Sequence, residues 1–230
     1  MNRLLVTGDT HGEIDFSKLN TKNFLIQKEL DKSDTLIICG DVALCWHGNK
    51  KDHYLKKWYE DKNFTTLAID GNHENHVAIA KLPVVNKFGG RVRKVSDTVF
   101  YAIRGEVYEI AEKKILAFGG ADSSDIQFRK EGVSWWREET ITEEDLNNAM
   151  KNLEKYDYKI DYIMTHTSGS ELCKSLGYQP SHSDLIVDLV LRTVDYKKHY
   201  CGHLHDDLSY GNTRLIYDDI IEITDNFKEE

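Results

Sequence analysis

Proline is nearly missing from this chain of 230 residues, which has two, and no Pro/Gly/Ser-rich linker, low-complexity stretch or internal repeat interrupts it. Nothing marks a boundary, so one domain over 1–230 is the expectation. No stretch approaches the roughly 18 apolar residues that a membrane span requires, and the apolar run in "MNRLLVTGD" is too short for a signal-peptide core. A cytoplasmic protein with no membrane partner is therefore expected. The four cysteines, Cys39, Cys45, Cys173 and Cys201, never fall in C-x-x-C spacing. They read as buried free thiols rather than disulfides or a thiolate cage. Basic runs are also lacking: 39 acids against 30 Lys and Arg give a net charge of −9, which argues against a surface that coats nucleic acid.

What is present is an alternation of short β-branched runs and amphipathic stretches. "RLLVTG" (3–8), a helical segment near 17–30, "TLIICG" (35–40), a helical segment near 50–61 and "TTLAIDG" (65–71) read as βαβαβ with parallel strands. From about 84 to 120 the period falls to two, with hairpin punctuation at "AEKK", which predicts antiparallel strands opening a second sheet. Residues 121–141 lack a period and are expected to form a loop or small cap. A helix is predicted from Thr142 with an apolar stripe of Leu146, Ala149, Met150 and Leu153. A strand at 160–166, a helix at 183–194, a strand at 197–205 and a hairpin around Gly211-Asn212 complete an α/β pattern.

Polar residues collect where these strands end: Asp9 and His11, Asp41, Asn72 and His73, His166, then His203 and His205. Carboxylate, amide oxygen and imidazole, with no thiolate, suit a catalytic divalent site better than a structural zinc cage. The carboxyl ends of parallel strands are where open α/β sheets place ligands. One tetrahedral ion cannot use seven ligands, whereas two ions sharing a carboxylate can. Two such ions would hold a nucleophilic water and neutralise a phosphoryl oxygen. Phosphoester hydrolysis is the expected chemistry. Gly8, Gly40, Gly71 and Gly202 adjoin the ligands, where the backbone has to pass close to the ions.

The ordered blocks "GDTHG", "GDV", "GNHE", "MTH" and "GHLH", spread over residues 8–205, resemble the calcineurin-like metallophosphoesterase superfamily. The resemblance implies two facing mixed β-sheets flanked by helices, a four-layer α/β/β/α sandwich. It implies that Asp9, His11 and His205 bind one ion, that Asn72, His166 and His203 bind the other, and that Asp41 bridges. His73 would face the substrate as proton donor or charge stabiliser. Manganese is the first expectation for the two cations, with iron, zinc or nickel as alternatives. The second block reads "GDVALCWHG" without the Asp-Arg-Gly of the protein Ser/Thr phosphatases, and "TSGS" replaces the usual continuation after His166.

Further candidates are Arg129, Trp135 and Trp136, as a cap that grips phosphate and stacks on a base, with one indole buried and the other facing the cleft. Arg104 is expected either to touch phosphate or to make a structural ion pair. Glu74 is expected to orient a ligand histidine or to start a helix. His47 and His76 are minor candidates for the cleft wall, and His53, His182 and His199 are read as surface residues. The leading function is hydrolysis of a small phosphomonoester or phosphodiester, nucleotide-derived esters included. A DNA or RNA nuclease is the alternative, and a non-catalytic metal-binding regulator the lesser one.

Overall fold

The computed structural model describes residues 2–224. In chain order the strands are β1 (Leu4–Thr7), β2 (Thr35–Ile38), β3 (Thr65–Ala68), β4 (Val84–Lys87), β5 (Gly90–Lys94), β6 (Val99–Ala102), β7 (Glu106–Ile110), β8 (Lys113–Phe118), β9 (Tyr162–Thr165), β10 (Lys198–Cys201), β11 (Leu208–Tyr210), β12 (Thr213–Leu215) and β13 (Ile220–Glu222). The helices are α1 (Lys50–Glu60), α2 (His76–Ala80), α3 (Glu143–Glu154), α4 (Ser170–Ser175) and α5 (His182–Thr193).

Two mixed sheets form, ordered β13-β1-β2-β3-β6-β5-β4 and β11-β12-β10-β9-β8-β7. β1, β2, β3 and β6 run parallel in the first sheet, and β8, β9, β10 and β12 in the second. Burial follows the two-residue period of a strand. Leu4, Val6, Ile37, Leu67 and Phe100 of the first sheet meet Tyr108, Ile115, Tyr162, Met164 and Tyr200 of the second in one core between them. The opposite faces are covered too. Leu5, Leu36 and Ile38 pack on Leu55 and Tyr59 of α1, while Leu116, Phe118 and Ile163 pack on Ala149 and Leu153 of α3 and on Ile186, Val187 and Val190 of α5. Strands buried on both faces explain why these runs read as continuously apolar. The expected four-layer sandwich is the observed one.

Two local expectations change. The segment 17–30 is not a helix but two 3₁₀ turns, Phe16–Leu19 and Leu25–Lys28, separated by an extended Asn20. Polar side chains there take over the backbone partners: Asn23 donates to the Ser17 carbonyl, and Gln27 donates to those of Leu19 and Phe24. The antiparallel stretch does not all belong to the second sheet. β4, β5 and β6 extend the first, and only β7 and β8 open the other. The hairpin joining β7 and β8 turns at Ala111 and Glu112, both with positive φ, as a tight turn matched to strand twist requires.

The helix expected from Thr142 is α3, closed by a reciprocal capping box between Thr142 and Asp145. The hairpin at Gly211 forms as β11 and β12. Residues 121–141 carry only two short 3₁₀ turns, Ile126–Phe128 and Arg137–Glu139. Among the described residues no helix is long and apolar enough to cross a membrane. All four cysteines are free and buried.

Candidate metal centre

The parallel strands β1, β2 and β3 and, across the core, β9 and β10 all end on the same side, and the loops that leave them converge. Asp9, His11, Asp41 and His205 each offer a ligand atom within 4.8 Å of the others. Asp9 and Asp41 are fully buried carboxylates. Asp41 faces two ways: its Oδ2 lies 3.3 Å from His11 Nε2, and its Oδ1 lies 3.3 Å from His166 Nε2. Asn72 Oδ1 is 3.1 Å from the same His166 Nε2. The ring of His203 stands 4.9 Å from that of His166, and its amide donates to Asp9. All seven expected ligands are thus brought together, in two groups that meet at Asp41.

Neighbouring groups settle which atoms point inward. His166 Nδ1 lies 2.8 Å from the Cys39 carbonyl, an acceptor only, so that nitrogen carries a proton and Nε2 is the one turned to the centre. The Asn72 amide donates through Nδ2 to Ser123 Oγ at 3.1 Å, and the Ser123 hydroxyl donates to Glu139. That chain leaves Asn72 Oδ1 facing the centre. Around His166 Nε2, then, lie two oxygens and no donor, an arrangement relieved by a proton on Nε2 or by a cation in its place. The donors present therefore fit a divalent ion, and their outer hydrogen bonds are of the kind that fix metal ligands.

The electrostatics agree. Burial alone would raise both carboxyls. It does raise Asp9, but His166 and His11 outweigh it at Asp41, which is held well below the usual range. Burial opposes the charged form of His166, yet Asp41 and Asp9 push it up to about 10, so a positive charge is favoured at that junction. His203 is pushed down to about 4 by burial and by His166, so its ring stays neutral and free to ligate.

The backbone pays for this convergence once in strain. His11, Asp41, His203 and His205 all have positive φ, between 42° and 74°, a region unfavourable to residues with a Cβ. Two glycines are also required by space. A Cβ on Gly71 would lie 2.1 Å from Asp41 Oδ1, and one on Gly40, at φ +101°, would lie 2.0 Å from the His166 ring.

His73 sits at the edge of the centre, its amide donating to Asp41 Oδ1 at 2.7 Å. Arg129 lies against its ring, with Nη1 3.4 Å from Nδ1 and Nη2 3.3 Å from Nε2, and is itself held by Asp125 at 2.7 Å. Burial lowers the His73 pKa, and Arg129, His11 and His166 add to that, while Asp41 opposes.

The other candidates follow expectation in part. Arg104 makes the structural ion pair. It is buried, meets Asp70 Oδ2 through Nε and Nη2 at 2.8 and 2.7 Å, reaches Asp145 at 3.2 Å, and gives its other N–H groups to the carbonyls of Glu138, Glu139 and Thr140. No donor is left for phosphate. Glu74 neither orients a histidine nor starts α2, whose cap is Asn75. It is fully buried and accepts the amides of Val42 and Ala43 and the Tyr101 hydroxyl, bracing the loop behind Asp41. Burial pushes its carboxyl up to about 8 against those hydrogen bonds.

Trp136 is buried edge-on to Trp46, with ring centroids 5.0 Å apart, and Trp135 is half-buried. Neither lines the cleft beside the ligands. Trp46 does, in a space of about 640 Å³ that also borders His11, His73, His205 and His47. His76 is buried against Asp70 instead. His199, expected at the surface, is fully buried between Thr165 and Thr213, and burial pushes its pKa down to about 3. Sequence reasoning missed Trp46, Ser123, Glu139, and Lys18, whose ammonium donates to the carbonyls of Gly8, Asp9 and Tyr217 at the end of β1. None of these carries a motif. Only their distance in space from the ligands marks them.

The family model of the calcineurin-like phosphoesterases matches residues 2–207. The chain belongs to that family. A solved crystal structure superposes with a TM-score of 0.50 over 94% of this phosphoesterase-family chain and 89% of its own, at 13% identity, a likeness of fold alone. No curated protein sequence matches.

Proposed function

We propose that this protein hydrolyses a small phosphoester, monoester or diester, with two divalent cations: one held by Asp9, His11 and His205, the other by Asn72, His166 and His203, and Asp41 shared. The observation that carries the reading is the junction at Asp41. One buried carboxylate there faces an imidazole through each oxygen, and His166 Nε2 meets only acceptors. Manganese is the first choice. When bound, such a pair supplies a nucleophilic water and neutralises phosphoryl charge.

The chain's own residues supply the rest. His73 reaches the leaving oxygen as proton donor, its protonated form favoured by the anionic substrate beside it. Arg129 adds positive charge against that ring. A nuclease is less well supported, because the rim near His205 carries Asp206, Asp207, Asp218 and Asp219 rather than a basic track. The four free buried thiols support a reducing, cytoplasmic setting.

The test is hydrolysis of p-nitrophenyl phosphate and bis-p-nitrophenyl phosphate by manganese-loaded wild type and His73→Ala. One ester should turn over, and the variant should lose about 10²–10⁴-fold in kcat. A metal-loaded protein inert toward both would overturn the proposal in favour of a non-catalytic metal-binding role.

A further inference from the structure

We propose that the cleft beside the metal centre is a specificity pocket for an aryl group on the phosphoester, and that Trp46 is the residue that selects it. This rests on the phosphoesterase reading and deepens it. The cleft, about 640 Å³, falls within the size range of small-molecule sites and opens directly onto His11, His73 and His205. Trp46, Ala43, Leu55, Ile14 and Tyr217 add apolar surface to its lining.

Apolar surface left open beside a charged centre needs an occupant. Ile14 is 78% exposed and Trp46 half-buried, so both keep apolar area available. The rings are fixed. Trp46 packs against Trp136 at 5.0 Å and lies 6.2 Å from His73, tilted only 31° to it, and its carbonyl accepts from Asn75. Tyr217 stacks on His205, with centroids 4.8 Å apart. Rings held in place favour a flat π-system over a flexible chain, which would lose more entropy on binding.

Two of the three acids along the wall are already engaged, and the third, Glu13, is exposed. Asp52 accepts the amides of His47 and Gly48, and Asp15 is bound to the His11 ring at 2.6 Å. Trp135 and Trp136, the indoles that the sequence offered for stacking, are not in its lining, and Trp136 backs Trp46 from behind.

The experiment is calorimetric titration of the manganese-loaded protein with benzylphosphonate and with ethylphosphonate, whose P–C bonds survive hydrolysis. Benzylphosphonate should bind about tenfold tighter, the ratio that ~1.4 kcal/mol of ring contact and burial produces. Trp46→Ala should remove most of that ratio, Trp46→Phe should restore it, and Ile14→Ser, on the exposed rim and harmless to folding, should reduce it severalfold. Equal affinities in the wild type, a ratio untouched in both Trp46→Ala and Ile14→Ser, or no binding of either ligand overturns the inference. Turnover of benzyl phosphate is then measured separately. Selective phosphonate binding without turnover would leave the pocket standing and sink the hydrolytic reading, while turnover without selectivity would do the reverse.

Discussion

Arg104→Met removes one side chain and leaves a buried carboxylate without its cation. In the wild type Asp70 and Arg104 have side chains only 9% and 10% exposed, and the guanidinium also holds three successive carbonyls, 138 to 140, that end the 121–141 segment. Breaking such a pair from one side costs about 3–5 kcal/mol, since the survivor keeps its desolvation penalty. Against a total stability of roughly 5–15 kcal/mol this is a large fraction. At about 2–4 °C per kcal/mol for a chain of this size, the melting temperature should fall by roughly 6–20 °C.

The pH dependence has a definite sign. Burial would raise the Asp70 carboxyl, but Arg104 outweighs it and holds it below its ordinary value of 3.8. A depressed carboxylate contributes stability above its unfolded pKa and loses it as pH falls through the folded one. The gap between wild type and Arg104→Met should therefore be full well above the burial-raised pKa of the variant's Asp70, begin to shrink as pH falls through it, and shrink further below about pH 4 as the wild-type pair is lost. Urea denaturation across this range, with the manganese-loaded enzyme assayed alongside, checks this. Coincident midpoints together with a raised KM would show that Arg104 serves phosphate after all.

Glu74→Gln should cost about 2–4 kcal/mol and weaken manganese binding, because an NH₂ group then opposes the amide donors of Val42 and Ala43 or the Tyr101 hydroxyl; denaturation and calorimetry read the two effects, and wild-type values for both would refute the bracing role. Ser123→Ala frees the Asn72 amide to rotate and should lower manganese affinity about tenfold with little change in melting temperature; an unchanged affinity would mean that the Glu139–Ser123–Asn72 chain orients nothing. Chelation should lower the melting temperature, since metal at about 100 times its Kd adds ~2.7 kcal/mol to the folded state. Equal melting curves with and without EDTA would count against any metal at Asp41.

The layered fold and the convergence of the candidate ligands were readable because both are written locally. Apolar runs such as "TLIICG" end in Gly-Asp, and strand ends of parallel sheets are where such residues meet. What escaped depends on partners distant in sequence. His199 looks like any strand histidine until Thr165, 34 residues earlier, and Thr213 enclose it. Arg104 and Asp70 become a pair only when β3 and β6 lie side by side. The failed helix at 17–30 is a different kind of miss: its period is helical, but Asn23 and Gln27 offer the backbone better partners than the next turn would.

The hydrogen bond from the His203 amide to Asp9 joins positions 194 residues apart. On a ribosome, Asp9 and His11 emerge long before the strand that brings His203 and His205, and their loop must wait, unmetallated, while the first sheet collects β2, β3 and β6. Contacts of such separation form late and slowly. A chain stalled ahead of β10 would carry two carboxylates and a few imidazoles with no closed coordination shell around them. Uptake of a divalent cation would then report completed synthesis and folding, which makes a metal-uptake assay a direct way to time this protein's assembly.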